Sequence, residues 1–176
     1  ILQSWAGAMK LEVLERSQSQ CIGSYGNVCI AVRWEFLVES DTAAIARALD
    51  RVKASSTDGT SAFLQVNRFV PAAGGAMGID DGAQAATVNL IRTYGPSQRA
   101  LVFCVPDQPF LMASLRSMFS RMVLATKIRL DLRVTTSLPE AVSLVCKSLA
   151  GSSGERIQPS ALLSAVDELE QKRPGR

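Results

Sequence analysis

Alternation of strand-like and helical segments is the sequence feature that most limits the folds open to this chain. From about residue 28 onward, short apolar runs alternate with longer segments whose apolar residues recur at helical spacing. This order is typical of sheets with a parallel part, because a helix commonly connects two parallel strands. Ahead of it, two runs flank Gly26-Asn27, a turn signal that predicts an antiparallel hairpin. The sequence therefore predicts an α/β fold with a mixed β-sheet: antiparallel opening strands, then β-α-β crossovers.

The individual elements follow from apolar periodicity and from capping signals. One helix is predicted to begin at Ser40-Asp41 and another at Ser137-Leu138-Pro139-Glu140, a capping box with proline in the first turn. The predicted strands are 10–15, 20–25, 28–36, 61–67, 99–105 and 128–135. The predicted helices run from Ser40-Asp41 to a polar break at 55–60, from Asp80-Asp81-Gly82 to about Tyr94, over 109–125, from Ser137 to Leu149, and over 159–171.

Segment 128–135 has the clearest strand pattern, since apolar and polar residues alternate along its whole length. Such alternation predicts a half-exposed edge strand with one face on the core. The inward residues would be Ile128, Leu130, Leu132 and Val134, and the outward ones Arg129, Asp131 and Arg133.

The chain length of 176 residues fits one domain with a short appendage. We expect residues 1–9 to be an N-terminal extension or a processing remnant, and 10–150 to form the α/β domain. Residues 151–176 would add a linker, with a flexible joint at 151–154, and a C-terminal amphipathic helix. That helix would cover its own domain or reach a neighbouring molecule.

Charge and hydropathy narrow the class of partner. The net charge of +3 is too small to predict nucleic-acid binding. No apolar run approaches the ~20 residues of a membrane-spanning helix, so an integral membrane protein is not expected. The first residues lack the layout of a signal peptide, which makes a cytoplasmic location the expectation.

None of the four cysteines forms a Cys-x-x-Cys pair, and we expect them to be small buried thiols.

The chain contains no histidine. This composition removes the Ser-His and Cys-His nucleophile pairs and the usual imidazole base, and it leaves zinc with scattered thiolates and carboxylates. We therefore predict a protein that is not an enzyme, with no catalytic residues, no metal site and no cofactor. Carboxylate chemistry would require Asp80, Asp81 and Asp107 to converge with a lysine or a metal ion.

Two segments of the second half resemble the STAS family, the anti-sigma-factor-antagonist-like domains that share a fold with SEC14-like lipid-binding modules. Arg99–Val105 is similar to the family's buried central strand. Ile128–Val134 followed by Ser137–Val142 is similar to its last strand and last helix. The resemblance covers about residues 10–150 and implies a STAS/SEC14-like sheet in a regulatory, bacterial-type protein. Residues 151–176 lie outside it.

The resemblance also implies a switch at the start of the second helix, where phosphoregulated members carry a serine in an Asp-Ser-Ser-Gly-like turn. Here the corresponding residues are Asp80, Asp81 and Gly82, and the serine is missing. Asp81 stands near where the hydroxyl would be. The acidic pair is either an ordinary helix cap or a permanently charged mimic of a phosphorylated switch.

The third helix carries more apolar residues than one packing face needs. The surplus would complete the core, line an apolar ligand pocket, or form a protein contact or self-association surface, since Met-rich surfaces adapt to partners. The predicted interaction surface consists of Phe110, Met112, Leu115, Met118, Phe119 and Met122. A neighbouring basic patch consists of Arg116, Arg121, Lys127, Arg129 and Arg133, and is either a solvated face or a contact for an acidic protein or anionic headgroup.

Two functional hypotheses follow. The first is a non-enzymatic, STAS-like regulatory module that binds an unidentified protein partner or forms a homodimer, without an evident phosphorylatable serine. The alternative is a SEC14-like binder of a small apolar or lipid-like ligand, which requires a cavity between the third helix and the sheet.

Overall fold

The computed structural model describes residues 9–70, 80–151 and 156–175, and it has the predicted fold class, an α/β fold with a mixed six-stranded sheet. The proposed extension at 1–8, the segment 71–79 and most of the joint at 151–154 lie outside the described residues. The six strands are β1 Glu12–Arg16, β2 Gln20–Tyr25, β3 Val28–Arg33, β4 Ser61–Asn67, β5 Gln98–Cys104 and β6 Leu132–Thr135.

Five α-helices connect or follow these strands. Their bounds agree closely with the apolar periodicity, and a short 3-10 turn at Gly95–Ser97 follows the second helix, where Gly-Pro was predicted to end it. The helices are α1 Glu39–Ser55, α2 Asp81–Tyr94, α3 Pro109–Thr126, α4 Leu138–Leu149 and α5 Pro159–Gln171.

Strand order in the sheet equals strand order in the chain. β1, β2 and β3 pair antiparallel, whereas β3 to β6 are parallel. At the β2–β3 turn Gly26 adopts a φ of +57°, a conformation that glycine adopts without strain. Each parallel connection advances the sheet by one strand in the same direction, so crossovers of one hand place α1, α2 and α3 on one face.

The opposite face is covered by α4 and α5. α4 packs across β4, β5 and β6, and α5 packs on β2 and β3. The C-terminal helix therefore covers its own domain, through Leu162, Ala165, Val166 and Leu169. Gly23 permits this close packing, because a Cβ atom there would lie 2.8 Å from the Glu12 carbonyl oxygen and 3.0 Å from a Leu169 methyl group.

Three predicted boundaries are wrong. The strand predicted over 28–36 ends at Arg33. α1 begins at Glu39 with Val38 as its N-cap, because the Asp41 carboxylate turns inward to an ion pair. The strand predicted over 128–135 is limited to Leu132–Thr135, since Ile128 packs on Gly95 in the turn before β5 instead of extending the ladder. The predicted alternation persists through 128–134: apolar side chains are buried or half-buried and charged ones are exposed.

No helix in the described part of the chain has the length and apolar character needed to cross a lipid bilayer.

Candidate interaction surface and buried cavity

The start of α2 is an ordinary helix cap. Asp80 is the N-cap residue, and its Oδ1 accepts a hydrogen bond of 2.6 Å from the backbone N–H of Ala83. Asp81 and Gly82 follow it on the surface. Glu39, at the start of α1, lies beside this turn, since a Cβ atom on Gly82 would be 3.1 Å from its Oε2. Three carboxylates therefore lie close together, two at the N-terminus of α2 and one at the N-terminus of α1.

Most of the interaction surface predicted on α3 belongs to the core. Leu115, Met118, Phe119 and Met122 are buried against the sheet, which corrects their assignment to an exposed surface. They recur at a spacing of three or four residues and form the single stripe that packing requires. Met112 is half-buried, and Phe110 is 83% exposed. The surplus apolar residues thus lie at the ends of α3, where Leu124 is 75% exposed.

The five residues of the predicted basic patch are all exposed, but they do not form one cluster. Arg116 donates a hydrogen bond of 3.0 Å to the Val134 carbonyl on the free edge of β6. Arg133 forms an ion pair of 2.7 Å with Asp131. Of the patch, these two arginines line a shallow groove of about 370 Å³ along β6, together with Glu140. The other three, Arg121, Lys127 and Arg129, lie outside that groove.

A second apolar surface, of which the sequence predicted Phe110 alone, lies at the carboxyl edge of the parallel strands. A narrow crevice of about 30 Å³ opens there, and Leu37, Phe69 and Leu111 are among the residues that line it. Each of these three has an exposed apolar neighbour in the chain. The four exposed neighbours, which we call the edge patch, are Phe36, Val38, Val70 and Phe110.

The edge patch comes from three separate connections: the ones after β3, β4 and β5. The rings of Phe36 and Phe69 are in contact, with centroids 5.0 Å apart, which ties the first two connections together. The sequence signal that was overlooked is the position of these apolar residues. They follow the carboxyl ends of parallel strands, where ligand and partner sites of open α/β sheets are commonly found.

Arg33, which belongs to a buried ion pair, is among the residues that line the crevice. Arg33, fully buried at the end of β3, donates a hydrogen bond of 2.9 Å to Asp41 Oδ2 and one of 3.2 Å to the Glu35 carbonyl. It also donates to Gln20 Oε1, and Ser19 donates one of 2.7 Å to Asp41 Oδ1. Burial lowers the pKa of Arg33, and the hydrogen bond and charge of Asp41 oppose that shift. Asp41 neutralises the guanidinium charge within the protein. Because these hydrogen bonds join residues of β2, β3 and α1, they hold the three elements together.

A cavity of about 60 Å³ lies between α2 and the sheet. α1 and α3 form its sides, and its walls are mostly aliphatic or aromatic. The polar groups in its lining are Gln65, Thr87, Tyr94 and Gln98, and no charged side chain lines it. The Tyr94 hydroxyl donates to Asp50 Oδ1 at 2.8 Å, and burial, followed by Asp50, raises the pKa of Tyr94 to about 12.

Gln98 is the polar residue of the cavity with an unmet hydrogen-bonding group. Its Nε2 donates a hydrogen bond of 2.7 Å to Ser61 Oγ. Its Oε1 is buried, and in the described part of the chain it is the one such side-chain atom without a partner. Buried polar atoms are nearly always satisfied in folded proteins, so an exception marks a place where another molecule fits.

In the described part of the chain, the thiols and carboxylates form no metal-binding group, and the pKa of every thiol is raised. All four cysteines are unpaired, and burial raises the pKa of each thiol, that of Cys29 to about 12. Protonated, buried thiols are poor nucleophiles. Within 9–70, 80–151 and 156–175, no three residues among His, Cys, Asp and Glu are grouped so as to hold a metal ion, and this includes Asp80, Asp81 and Asp107.

In comparisons with known proteins, no protein-family model, no curated protein and no solved structure matches the chain.

Proposed function

We propose that this chain is a non-enzymatic regulatory module that binds another protein through the carboxyl edge of its parallel strands. The observation that carries the proposal is the edge patch: four large apolar side chains are exposed on three segments, each of which also contributes a neighbouring residue to one crevice. Exposed apolar side chains are ordinary when they are scattered, but several at one edge of a sheet are typical of an interaction site.

The composition of this surface supports a protein partner. Phe36 and Phe110 are aromatic, and aromatic residues are enriched at the centres of protein interfaces. Phe110 is the second residue of α3 and projects from a helix whose inner face is anchored in the core. A rigid anchor of this kind loses little conformational entropy when it enters a pocket on a partner.

The acidic turn beside the edge patch suggests the partner's charge. Glu39 follows Val38 directly, and its carboxylate lies next to Gly82 at the start of α2, beside Asp80 and Asp81. A partner with an apolar centre and basic residues on one side would be complementary. The resemblance to STAS domains gives the same turn a regulatory role. Cytoplasmic location is part of this proposal, and the free thiols agree with a reducing compartment.

Two substitutions on one helix test the proposal. Phe110→Glu places a charge in the edge patch, whereas Leu124→Glu places the same charge on an equally exposed apolar residue about 21 Å away along α3. Proteins captured from an extract of the source cells would be quantified by mass spectrometry for wild type and both variants. Sedimentation would measure self-association, and circular dichroism would confirm folding.

We expect a partner that binds wild type and Leu124→Glu comparably and binds Phe110→Glu at least about 30-fold more weakly, the loss typical of an interface anchor. If the associating protein is a second copy, sedimentation will show the same pattern. Association that is unaffected by Phe110→Glu, or no association with any protein, would refute the edge patch as a binding surface.

A further inference from the structure

We propose that the cavity beneath α2 binds a small, neutral, mostly apolar molecule, about one aromatic ring in size, which donates a hydrogen bond to Gln98 Oε1. This inference goes beyond the proposed function: the cavity shares Leu37, Gln65 and Phe119 with the crevice, but no residue of the edge patch lines it.

The size of the cavity limits the ligand. At about 60 Å³ the cavity exceeds the roughly 10–15 Å³ that one enclosed water needs and is smaller than the roughly 150 Å³ of an engineered cavity that binds benzene. This limits the ligand to one small ring or a short aliphatic chain and excludes a two-chain lipid. The walls include Phe63, Phe103 and Phe119, whose rings offer the face and edge contacts that another ring prefers.

The lining also determines the polarity of the ligand. No acidic or basic residue lines the cavity, so an ionised carboxylate or ammonium group would be buried without a counter-charge. The Thr87 and Tyr94 hydroxyls donate to Ala83 O and to Asp50 Oδ1, which uses their protons. The oxygens of these hydroxyls can still accept a hydrogen bond, but Gln98 Oε1 is the buried side-chain atom of the described residues that has no partner, so an O–H or N–H donor from the ligand would satisfy it.

Water alone is a poor occupant of this space. A buried water normally makes about three hydrogen bonds to polar groups. Gln98 Oε1 is the unpartnered polar atom, Gln65, Thr87 and Tyr94 already have hydrogen-bond partners, and most of the remaining wall is hydrocarbon. A ring with a hydroxyl or N–H group satisfies the amide oxygen and fills the apolar volume at the same time.

Phenol and toluene form a matched pair of probes, because they have the same shape and differ only in the hydrogen-bond donor. Each would be titrated into the full chain carrying labelled isoleucine methyl groups and followed by NMR. Ile45 and Ile91 line the cavity, whereas Ile30 is buried on the opposite face of the sheet. We expect phenol to shift the Ile45 and Ile91 signals and to leave Ile30 unchanged.

The donor requirement is tested by the order of affinities. Wild type should bind phenol more tightly than toluene, although toluene is the more hydrophobic molecule. In Gln98→Met, which keeps the side-chain length and removes the acceptor, we expect phenol affinity to fall about tenfold and the order to reverse. Phe110→Glu should bind phenol like wild type, which separates this site from the protein-binding surface.

Several outcomes would overturn the proposal, and one of them needs no variant. Wild type that shows no saturable phenol shift at Ile45 or Ile91, or that prefers toluene, contradicts a ligand site with Gln98 as acceptor. A Gln98→Met protein that folds and keeps the wild-type preference for phenol contradicts it as well.

Discussion

The two faces of the sheet are packed differently. The face under α4 and α5 is closed by aliphatic side chains with essentially no exposure, among them Leu162, Val166 and Leu169. The face under α1, α2 and α3 contains the cavity, the crevice and the Arg33–Asp41 pair. Of the eight buried polar or charged residues in the described part of the chain, Thr135 alone lies on the α4 side. We expect the first face mainly to supply stability, whereas the second contains the space for which we propose a binding role.

Among the substitutions that test this comparison, we expect the largest loss of stability at the buried ion pair. Asp41→Asn leaves the Arg33 guanidinium buried without a counter-charge, which should lower the free energy of unfolding by about 3–5 kcal/mol. Urea denaturation measures this loss. Asp81→Asn, an exposed carboxylate forty residues later, is the control and should change stability little. If both substitutions lower the free energy of unfolding by the same small amount, the ion pair contributes little to stability.

A leucine on each face sharpens the comparison. Leu162→Ala removes a fully buried side chain from the α5 contact and should cost about 2–5 kcal/mol. Leu90→Ala removes a half-buried side chain from the cavity wall and should cost roughly 1 kcal/mol, because that side already lacks close packing. The two unfolding curves would be compared under the same conditions. A larger loss for Leu90→Ala would reverse our assignment of the stabilising face.

The smallest expected loss of stability concerns the N-terminal cap of α2. Asp80→Ala removes the side-chain bond to the Ala83 N–H and should lower stability by about 1 kcal/mol. Asp81→Ala removes only a favourable charge near the helix N-terminus and should have a smaller effect. Hydrogen exchange of α2 amides would localise the change. Uniform destabilisation of all helices, rather than faster exchange in α2, would contradict a local cap.

The fold was predictable from sequence wherever a local signal coincided with the tertiary structure. The predicted N-cap at Ser137 is present, with its hydroxyl accepting a hydrogen bond from the Glu140 N–H, although the Glu140 carboxylate accepts from Thr135 and does not complete the capping box; the predicted strand 61–67 is β4. The start of α1 was predicted wrongly. Aspartate commonly caps helices, but Asp41 lies inside the helix and pairs with Arg33 on β3. Residues 128–131 keep the alternation of a strand and yet form no ladder, because pairing depends on the neighbour as well as on the pattern.

The candidate sites were less predictable, since they depend on contacts between elements. Periodicity showed that α3 has surplus apolar residues, but it did not show that Met118 and Met122 pack inward while Phe110 projects outward. The size and shape of the cavity depend on how α1, α2 and α3 pack on the sheet. Gln98 at the start of a strand has no local feature that indicates a buried, unpartnered oxygen.

The agreement between chain order and strand order has a consequence for biosynthesis. Every strand can join the growing sheet as soon as it leaves the ribosome, because its partner has just been made, and such local pairing favours fast folding. The helix that shields β2 and β3 on the second face, α5, is translated after all six strands. Nascent chains therefore carry an uncovered apolar surface for most of their synthesis, and we expect chaperones to engage them there.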